Sequence, residues 1–486
     1  MTGTNLPLGS TETFFLSTVY FEGNPVVENI RTRLVTNRLT YSEPRLTLFP
    51  SEDEYRRLST TFELEIKGYT KYIDQEKSGE IHIPKGYRSH AHKKPLDTAW
   101  TEYLIEVEPS ELYQKRYLKT KPEDNKAIVT FFLTSNEAAT PLGGLEYSFT
   151  GDVKKDVVRK IVLSLDDGWK AQFEEHYNYA DTRIENMQGN FSSHQLVITL
   201  EKEDHLLDSL DEVRQLSKAI DRLLLYLSFG SRQRVTWIRW TGIVQTELIE
   251  YHRLFYQPSQ LSKDEELVER KVIQDFLQHC LDQERTGKSL NLSLPLVLLL
   301  ATERTYTVEA KFLGFYTALE ALLHVYAKSR GINKHFDSTV WRTFCHEMRD
   351  AINGLGFITP DDKTVMLGKL GMFNQPSSKL LYEKFCREFR IDNSDLWPLT
   401  QGAPSLLDVR NELTHGRKTD NLLIDYAEQH LQWTVERCLL GALQWKDASG
   451  VTPESLGRYS DYQAWKKYLT KVNVAYSKDE CNGRKE

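Results

Sequence analysis

The spacing of apolar residues divides this chain into a β-rich first half and a helical second half. From Thr11 to about Leu200, short runs of β-branched and aromatic residues alternate with turns of Gly, Pro, Asn and Asp, and several runs alternate apolar with polar positions. This alternation predicts antiparallel strands with one buried face. Clear examples are residues 14–21, 45–49, 62–66, 80–83, 127–133, 145–149, 160–165 and 196–200. We therefore expect an antiparallel sandwich or an open barrel in this half.

One amphipathic helix is expected to interrupt the strands. Apolar positions in residues 204–229 recur every three to four residues, which predicts a helix, and Gly230 is expected to end it. Alternation returns in residues 234–240, and a turn at Thr241–Gly242 is expected to lead into a strand near residues 243–251. These elements would complete the N-terminal domain.

Helical periodicity dominates the chain from Glu265 onward. The predicted helices lie near residues 264–284, 294–303, 306–328, 338–352, 361–371, 377–390, 403–415 and 419–446, with a tail helix near 460–471. Consecutive helices with short connections predict an all-α bundle. The fold class is therefore α+β multidomain. The predicted parts are a β-rich N-terminal domain over residues 1–256, a linker over 257–264, a helical domain over 264–472 and a charged tail over 473–486.

The composition predicts the kind of compartment in which the protein is found and argues against some classes of partner. The net charge of −7 argues against general coating of nucleic acids. The five cysteines are widely separated and form no C-x-x-C pair, so we expect a reducing compartment, no disulfide framework and no zinc site. The chain starts without a signal-peptide pattern, and its most apolar run, Leu290–Ala301, contains a proline and is too short to cross a bilayer. A cytoplasmic protein without membrane association is expected.

One short stretch near the end of the helical half is expected to form a helix with a defined stop. Residues 405–417 read S-L-L-D-V-R-N-E-L-T-H-G-R, in which Leu406, Val409 and Leu413 share one face and can be buried. Gly416 is expected to take the left-handed conformation that ends a helix. The histidine before this glycine therefore falls in the last turn.

Polar side chains gather on the exposed side of this predicted helix. Asp408, Asn411 and His415 project together, away from the apolar face, and Arg410 lies on the flank. This cluster suits the cleavage of RNA, which needs no metal when the 2′-hydroxyl attacks its own phosphate. Histidine titrates near neutrality and can move the proton, and a guanidinium can stabilise the charge on the phosphate oxygens. One histidine and one arginine are half of such a site, so this chemistry predicts a homodimer through the helical half, without metal or cofactor.

The Arg-x4-His spacing is weak evidence when taken alone. Arg330 and His335 have the same spacing, but they follow the end of a helix in a glycine-bearing loop, with no apolar periodicity to fix them. We interpret this second pair as coincidence. The context of Arg410 and His415, with an adjacent Asn411 and a helix-ending glycine, distinguishes the first pair.

The stretch Arg410-Asn411-Glu-Leu-Thr-His415-Gly416 resembles the signature of the HEPN superfamily, in which an arginine and a polar residue precede a histidine by four to six positions. Residues 312–323, with their Ala-Leu-Glu triplet, look like the upstream helix of the ApeA-like HEPN branch. The resemblance covers about residues 265–445. A β-rich domain ahead of it is similar to the architecture of ApeA-type bacterial anti-phage proteins.

This resemblance implies a metal-independent endoribonuclease of anti-phage defence by abortive infection. It implies a homodimer, or a higher homo-oligomer, that cuts tRNA or another cellular RNA when the N-terminal domain detects a phage-derived trigger. Arg410 and His415 would be the catalytic pair, and Asn411 would orient the phosphate or the imidazole. Glu320 and Asp408 would be accessory residues, although Glu320 could equally pair with a structural arginine.

Two rival interpretations of this stretch remain open. His415 could cap its helix while Arg410 makes a structural ion pair, and many HEPN-like bundles are non-catalytic modules that bind nucleotide or RNA and hold a dimer together. A metal-dependent nuclease or nucleotide hydrolase is a further rival.

Three other segments have weaker functional patterns. Residues 89–94 contain two histidines that could bind a metal, but a solvated loop is the favoured interpretation. Residues 115–121 and 232–240 mix cations with aromatic residues, as surfaces for single-stranded nucleic acid do. A charged rim and a half-buried strand are favoured slightly for these two.

Overall fold

The structure of the chain is a computed structural model. It describes residues 10–37, 44–71, 78–95, 101–118, 125–133, 146–147, 153–154, 161–175, 196–232, 234–253, 266–287, 290–302, 305, 307–332, 334, 336–400, 404–416, 421–445 and 467. The chain divides into two compact units, residues 1–263 with 270–278, and residues 264–269 with 279–486. The predicted linker over 257–264, the charged tail over 473–486 and all but Lys467 of the predicted tail helix lie outside the described residues. The predicted domain boundaries therefore stay a prediction.

Six strands of the N-terminal unit close into a small antiparallel barrel. They are β1 (Ser10–Phe21), β2 (Asn24–Asn37), β3 (Arg45–Phe49), β4 (Glu63–Lys71), β5 (Ser78–Pro95) and β6 (Thr101–Pro109), with helix α1 (Glu52–Leu58) between β3 and β4. The order is β5-β4-β1-β2-β3-β6, and β6 pairs back with β5 to close the ring. Alternate residues of each strand, such as Val19, Leu34 and Ile66, fill the interior, while the residues between them face outward.

The long strand β5 also belongs to an open antiparallel sheet. Beyond β5 the order is β7 (Glu111–Tyr117), β15 (Glu247–Arg253), β14 (Trp237–Val244), β8 (Lys126–Leu133), β13 (Leu196–Glu203), β12 (Lys170–Glu175) and β11 (Ile161–Ser164). A short separate pair is formed by β9 (Glu146–Tyr147) and β10 (Val153–Lys154). The expected β-rich, antiparallel N-terminal half is confirmed, and its barrel is closed.

Helix α2 (Leu210–Ser231) continues past the glycine that was expected to end it. Gly230 is helical and buried, and a Cβ atom at this position would lie 3.0 Å from Ile273 and 3.1 Å from Phe276. The helix ends instead where Arg232 takes the left-handed conformation, with φ of 50°. The glycine therefore serves close packing, and the predicted stop was wrong.

The hairpin after α2 turns later than expected. Thr241 and Gly242 lie inside β14, and the chain reverses at Gln245–Thr246 between β14 and β15. Gln245 has a φ of 55°, which supplies the left-handed residue that such a tight turn requires. The predicted turn at Thr241–Gly242 was wrong because an extended glycine can sit within a strand.

Eight helices are described in the C-terminal half, as expected. They are α3 (Ile273–Arg285), α4 (Ser293–Thr302), α5 (Val308–Ser329), α6 (Ser338–Gly354), α7 (Pro360–Lys369), α8 (Ser378–Phe389), α9 (Leu406–Thr414) and α10 (Asn421–Ala442). Helix α5 packs against α4, α8, α9 and α10, and it buries Phe312, Phe315 and Leu319 on its core face. Across the described ranges, none of the helices combines the length and apolar character needed to cross a bilayer.

Candidate active site

Helix α9 begins with a capping box. The Ser405 hydroxyl accepts the Asp408 backbone N–H at 3.2 Å, and the Asp408 carboxylate accepts the Ser405 N–H at 2.8 Å and its hydroxyl proton at 2.7 Å. Reciprocal bonds of this kind satisfy donors at the start of a helix. Within the described part of the chain, the Asp408 carboxylate accepts hydrogen bonds from Ser405 alone. The Asp408 carboxylate therefore stabilises the first turn of helix α9.

The far end of α9 terminates as the sequence predicts. His415 is the C-cap residue, its backbone N–H donates to the Asn411 carbonyl at 3.0 Å, and Gly416 has a φ of 66°. Leu406 and Val409 are buried, which fixes the helix against the bundle. The His415 imidazole is exposed and forms no hydrogen bond or ion pair with any described residue. The last turn thus presents an unengaged imidazole on a fixed backbone.

Arg410 is held by two neutral neighbours. Its Nη1 donates to Oδ1 of Asn411 at 3.2 Å, and its guanidinium carbon lies 5.5 Å from the centre of the Tyr316 ring. The face of an aromatic ring attracts a cation without neutralising its charge. No carboxylate forms an ion pair with Arg410 among the residues that the structure describes. The guanidinium is therefore held in position, and no carboxylate among those residues pairs with it.

Tyr316, whose ring lies beside Arg410, is one helical turn before Glu320 on α5. Burial raises the pKa of Tyr316 to about 12, the Glu320 carboxylate pushes it in the same direction, and the Arg410 guanidinium opposes both. The ring therefore stays a neutral phenol near neutral pH. The half-buried Glu320 forms no hydrogen bond or ion pair within the described ranges, so the alternative in which it pairs with a structural arginine is not observed there.

The structure thus brings Arg410, Asn411, Tyr316 and Glu320 into one neighbourhood, with His415 at the end of the same short helix. Asp408 lies at the opposite end of that helix, in its cap. Tyr316 was absent from the sequence-based site. Its only signal in the sequence is its position four residues before Glu320 on a helix whose other aromatic residues are core.

The second Arg-x4-His pair has different surroundings. Nε of Arg330 donates to Oε1 of Glu388 at 2.7 Å, and its Nη2 lies 2.6 Å from the same oxygen. Glu388 also accepts the hydroxyl proton of Tyr326 at 2.8 Å. Arg330 is therefore committed to a structural ion pair, while His335 lies outside the described residues.

The histidine pair near the N-terminus is part of a strand. His90 and His92 both lie in β5, with ring centres 5.5 Å apart, so the favoured interpretation of this segment as a loop was wrong. Among the described residues, no group of three or more histidine, cysteine, aspartate or glutamate side chains could hold a metal ion.

The two cation-aromatic segments are mainly structural where they are described. Lys115 lies 3.8 Å from Glu80 and 3.7 Å from Glu247, so its charge is balanced. Arg232, Trp237 and Trp240 are buried. Residues 119–121 lie outside the described part of the chain.

Scans against protein-family models, curated proteins and solved structures return no match for this chain. The interpretation of the site therefore depends on its own geometry and chemistry.

Proposed function

We propose that this protein is a metal-independent endoribonuclease in which Arg410 and His415 act on the scissile phosphodiester. The observation that carries this proposal is the state of Arg410: its guanidinium is held in place by Asn411 and Tyr316, yet no described carboxylate neutralises it. A fixed cation that pairs with no described carboxylate, on the same short helix as an exposed imidazole, suits an anionic substrate. The resemblance of this stretch to the HEPN signature supports the same activity.

The proposed reaction moves one proton to the enzyme and one proton from it. The ribose 2′-oxygen forms a bond to phosphorus while the bond from phosphorus to the 5′-oxygen breaks. One neutral imidazole takes the 2′-hydroxyl proton, and a second, protonated imidazole gives a proton to the leaving 5′-oxygen. The Arg410 guanidinium stabilises the charge on the non-bridging oxygens. The products carry a 2′,3′-cyclic phosphate and a 5′-hydroxyl.

This mechanism requires two copies of the chain, because each copy supplies one His415. We therefore propose a homodimer, or a higher homo-oligomer, assembled through the helical half. The substrate would be tRNA or another RNA of the cytoplasm. By resemblance to ApeA-like proteins, the reaction would serve abortive infection, with a phage-derived trigger acting at the N-terminal half.

The first test compares two exposed histidines of the helical half in the full-length protein. His415→Ala should abolish cleavage of a fluorescent RNA, while His324→Ala, on the exposed side of α5, should leave it unchanged. Cleavage by the wild-type protein should persist in EDTA and leave cyclic-phosphate ends. Loss of activity in EDTA would instead identify a metal-dependent nuclease. Full activity of a folded His415→Ala variant would remove the proposed role of this residue.

A second test addresses the dimer. If each site draws on two copies, the activity per molecule should fall on dilution below the dimer dissociation constant, and light scattering should report the monomer over the same range. A dimer that binds RNA without cutting it, with or without His415, would instead identify a non-catalytic binding module.

A further inference from the structure

The outer surface of the barrel has a row of aromatic, aliphatic and cationic side chains that the proposed ribonuclease site does not use. Leu16 on β1 is directly opposite Tyr69 on β4 and Arg31 on β2, and Arg31 is directly opposite Phe49 on β3. Phe14 lies two residues before Leu16, on the same side of β1. These five residues are referred to below as the aromatic face.

The aromatic face is unusually open to solvent. Tyr69 is 67% exposed, Leu16 57% and Phe14 49%, although Phe15 and Ser17, their neighbours on the inner side of β1, are buried. The interior of the barrel is filled by other apolar residues, so these side chains are not needed for its core. Contiguous exposed apolar side chains of this kind mark a binding surface.

The cation at the centre of the face indicates which partner fits. The Arg31 guanidinium carbon lies 5.3 Å from the centre of the Phe14 ring and 5.4 Å from that of Phe49, so two rings flank it. Arg31 forms no ion pair with the described residues, and neither does the exposed Arg45 on the same side of β3. By contrast, neighbouring Arg33 pairs with Glu12 and Lys67 pairs with Glu65. Among the side chains that the structure describes on this side of the barrel, Arg31 and Arg45 are therefore the cations left to meet a negative charge.

We propose that the aromatic face binds single-stranded nucleic acid. The rings of Phe14 and Tyr69 would each stack on a base, and Arg31 would contact the phosphate that joins neighbouring nucleotides. Diagonal neighbours on adjacent antiparallel strands lie roughly 7–8 Å apart, which allows two rings to hold two separate bases. An apolar protein partner would leave the Arg31 charge without a counterion, whereas a nucleic acid supplies both planar rings and phosphate.

This surface would bind through stacking more than through charge. The chain has a net charge of −7, and the face has few unpaired cations. Ribose and deoxyribose strands should bind alike, because rings and a guanidinium do not read the sugar. A duplex should bind poorly, because its bases already stack on one another. This binding does not depend on the ribonuclease activity, so either proposal can fail without the other.

The test measures binding of the full-length protein to a fluorescein-labelled, mixed-sequence 16-nucleotide DNA, which lacks the 2′-hydroxyl and cannot be cut. Phe14→Ala and Tyr69→Ala should each weaken binding about tenfold, and the double variant about a hundredfold. Phe62→Ala is the matched control, because Phe62 is 63% exposed on the same barrel but precedes the opposite end of β4. It should change binding less than about twofold, within the range of a neutral surface substitution.

Two further measurements separate stacking from general attraction. The logarithm of the binding constant should fall with the logarithm of salt concentration with a slope between about −0.7 and −1.4, the value for one or two phosphates. Arg31→Ala should flatten this slope, and an RNA of the same sequence should bind as tightly as the DNA.

Three outcomes would overturn the proposal. The first is binding that Phe14→Ala and Tyr69→Ala leave unchanged although thermal melts show folded variants. The second is an equal loss of binding in Phe62→Ala. The third is a wild-type protein that binds no oligonucleotide while the aromatic face mediates self-association or peptide binding, which would identify a protein partner.

Discussion

Two arginines of the helical half stand five residues before a histidine, and their surroundings are opposite. Arg330 follows helix α5 and is tied to the Glu388 carboxylate, so its charge is neutralised. Arg410 lies within helix α9, over a neutral ring and against a neutral amide, and no described carboxylate pairs with it. Identical spacing therefore produces one structural ion pair and one available cation. The difference between the two arginines comes from the residue that contacts each guanidinium within the helical bundle, and it does not come from the spacing to the histidine.

The largest expected effect comes from removing each arginine in turn. Arg410→Ala should lower RNA cleavage about a thousandfold, because a guanidinium that stabilises developing phosphate charge contributes on that scale. Arg330→Ala should keep cleavage within about twofold, since a half-exposed ion pair contributes only about 0.2–1 kcal/mol to folding. Single-turnover rates with both variants check this. Equal losses in the two variants would mean that both arginines act through stability alone.

A single substitution gives Arg410 the kind of partner that Arg330 has. Asn411→Asp places a carboxylate of nearly the same shape 3.2 Å from Nη1 of Arg410 and should form an ion pair. We expect cleavage to fall about tenfold further than in Asn411→Ala, because the new carboxylate offsets the charge that Arg410 presents to the phosphate, whereas alanine adds no such partner. Rates and thermal melts of the two variants should be compared. If Asn411→Asp cuts RNA as well as Asn411→Ala does, the unpaired charge is not what matters.

A smaller effect is expected from the ring beneath Arg410. Tyr316→Leu keeps an apolar side chain but removes the aromatic face, so we expect cleavage to fall about fivefold to tenfold, in line with a partly desolvated cation–π contact. Tyr316→Phe should restore it to within about twofold, because the ring remains. A positioning role would lower kcat more than it raises KM. An equal loss in Tyr316→Leu and Tyr316→Phe would assign the effect to the hydroxyl group instead.

The smallest expected effect is the change with pH in the contribution of the Arg330–Glu388 ion pair to the free energy of unfolding. The Arg330 guanidinium holds the pKa of Glu388 below its usual value, so the folded state binds this proton less readily than the unfolded chain does. The pair therefore stabilises the fold above the ordinary glutamate pKa of about 4.3, and this contribution is lost as the pH falls through the lower folded pKa. Glu388→Gln should remove about 0.5 kcal/mol at pH 7 and almost nothing at the acid end of that window. Urea unfolding across this pH range measures it, and a pH-independent difference would contradict the expectation.

The helix that carries the site could be predicted because its signals are local. Leu406 and Val409 mark its buried face, and Gly416 marks its end, so the predicted span of 403–415 lies close to the observed Leu406–Thr414. The glycine at 416 has space around its α carbon and a left-handed φ. Gly230 is also a glycine, but it does not end its helix. It lies inside the helix and allows Ile273 and Phe276 to pack closely against it. The local sequence pattern does not distinguish a glycine that ends a helix from a glycine that allows close packing within one.

The surroundings of Arg410 could not be predicted in the same way. Tyr316 lies on α5, far from α9 in sequence, and its ring resembles the core aromatic residues on either side of it. Likewise, the pairing of β6 with β5 that closes the barrel joins strands whose patterns do not specify their partners. The pairing of β1 with β4 and β2, and of β2 with β3, places Tyr69, Leu16, Arg31 and Phe49 in one row.

Local patterns in the sequence were enough to predict the β-rich and helical halves and the end of helix α9, because capping and apolar periodicity act over a few neighbouring residues. Tertiary packing selected which guanidinium meets a carboxylate, which meets a ring, and which aromatic side chains remain outside the core. Those outcomes depend on contacts between segments distant in the chain, and each of them is set by the packing of the whole unit.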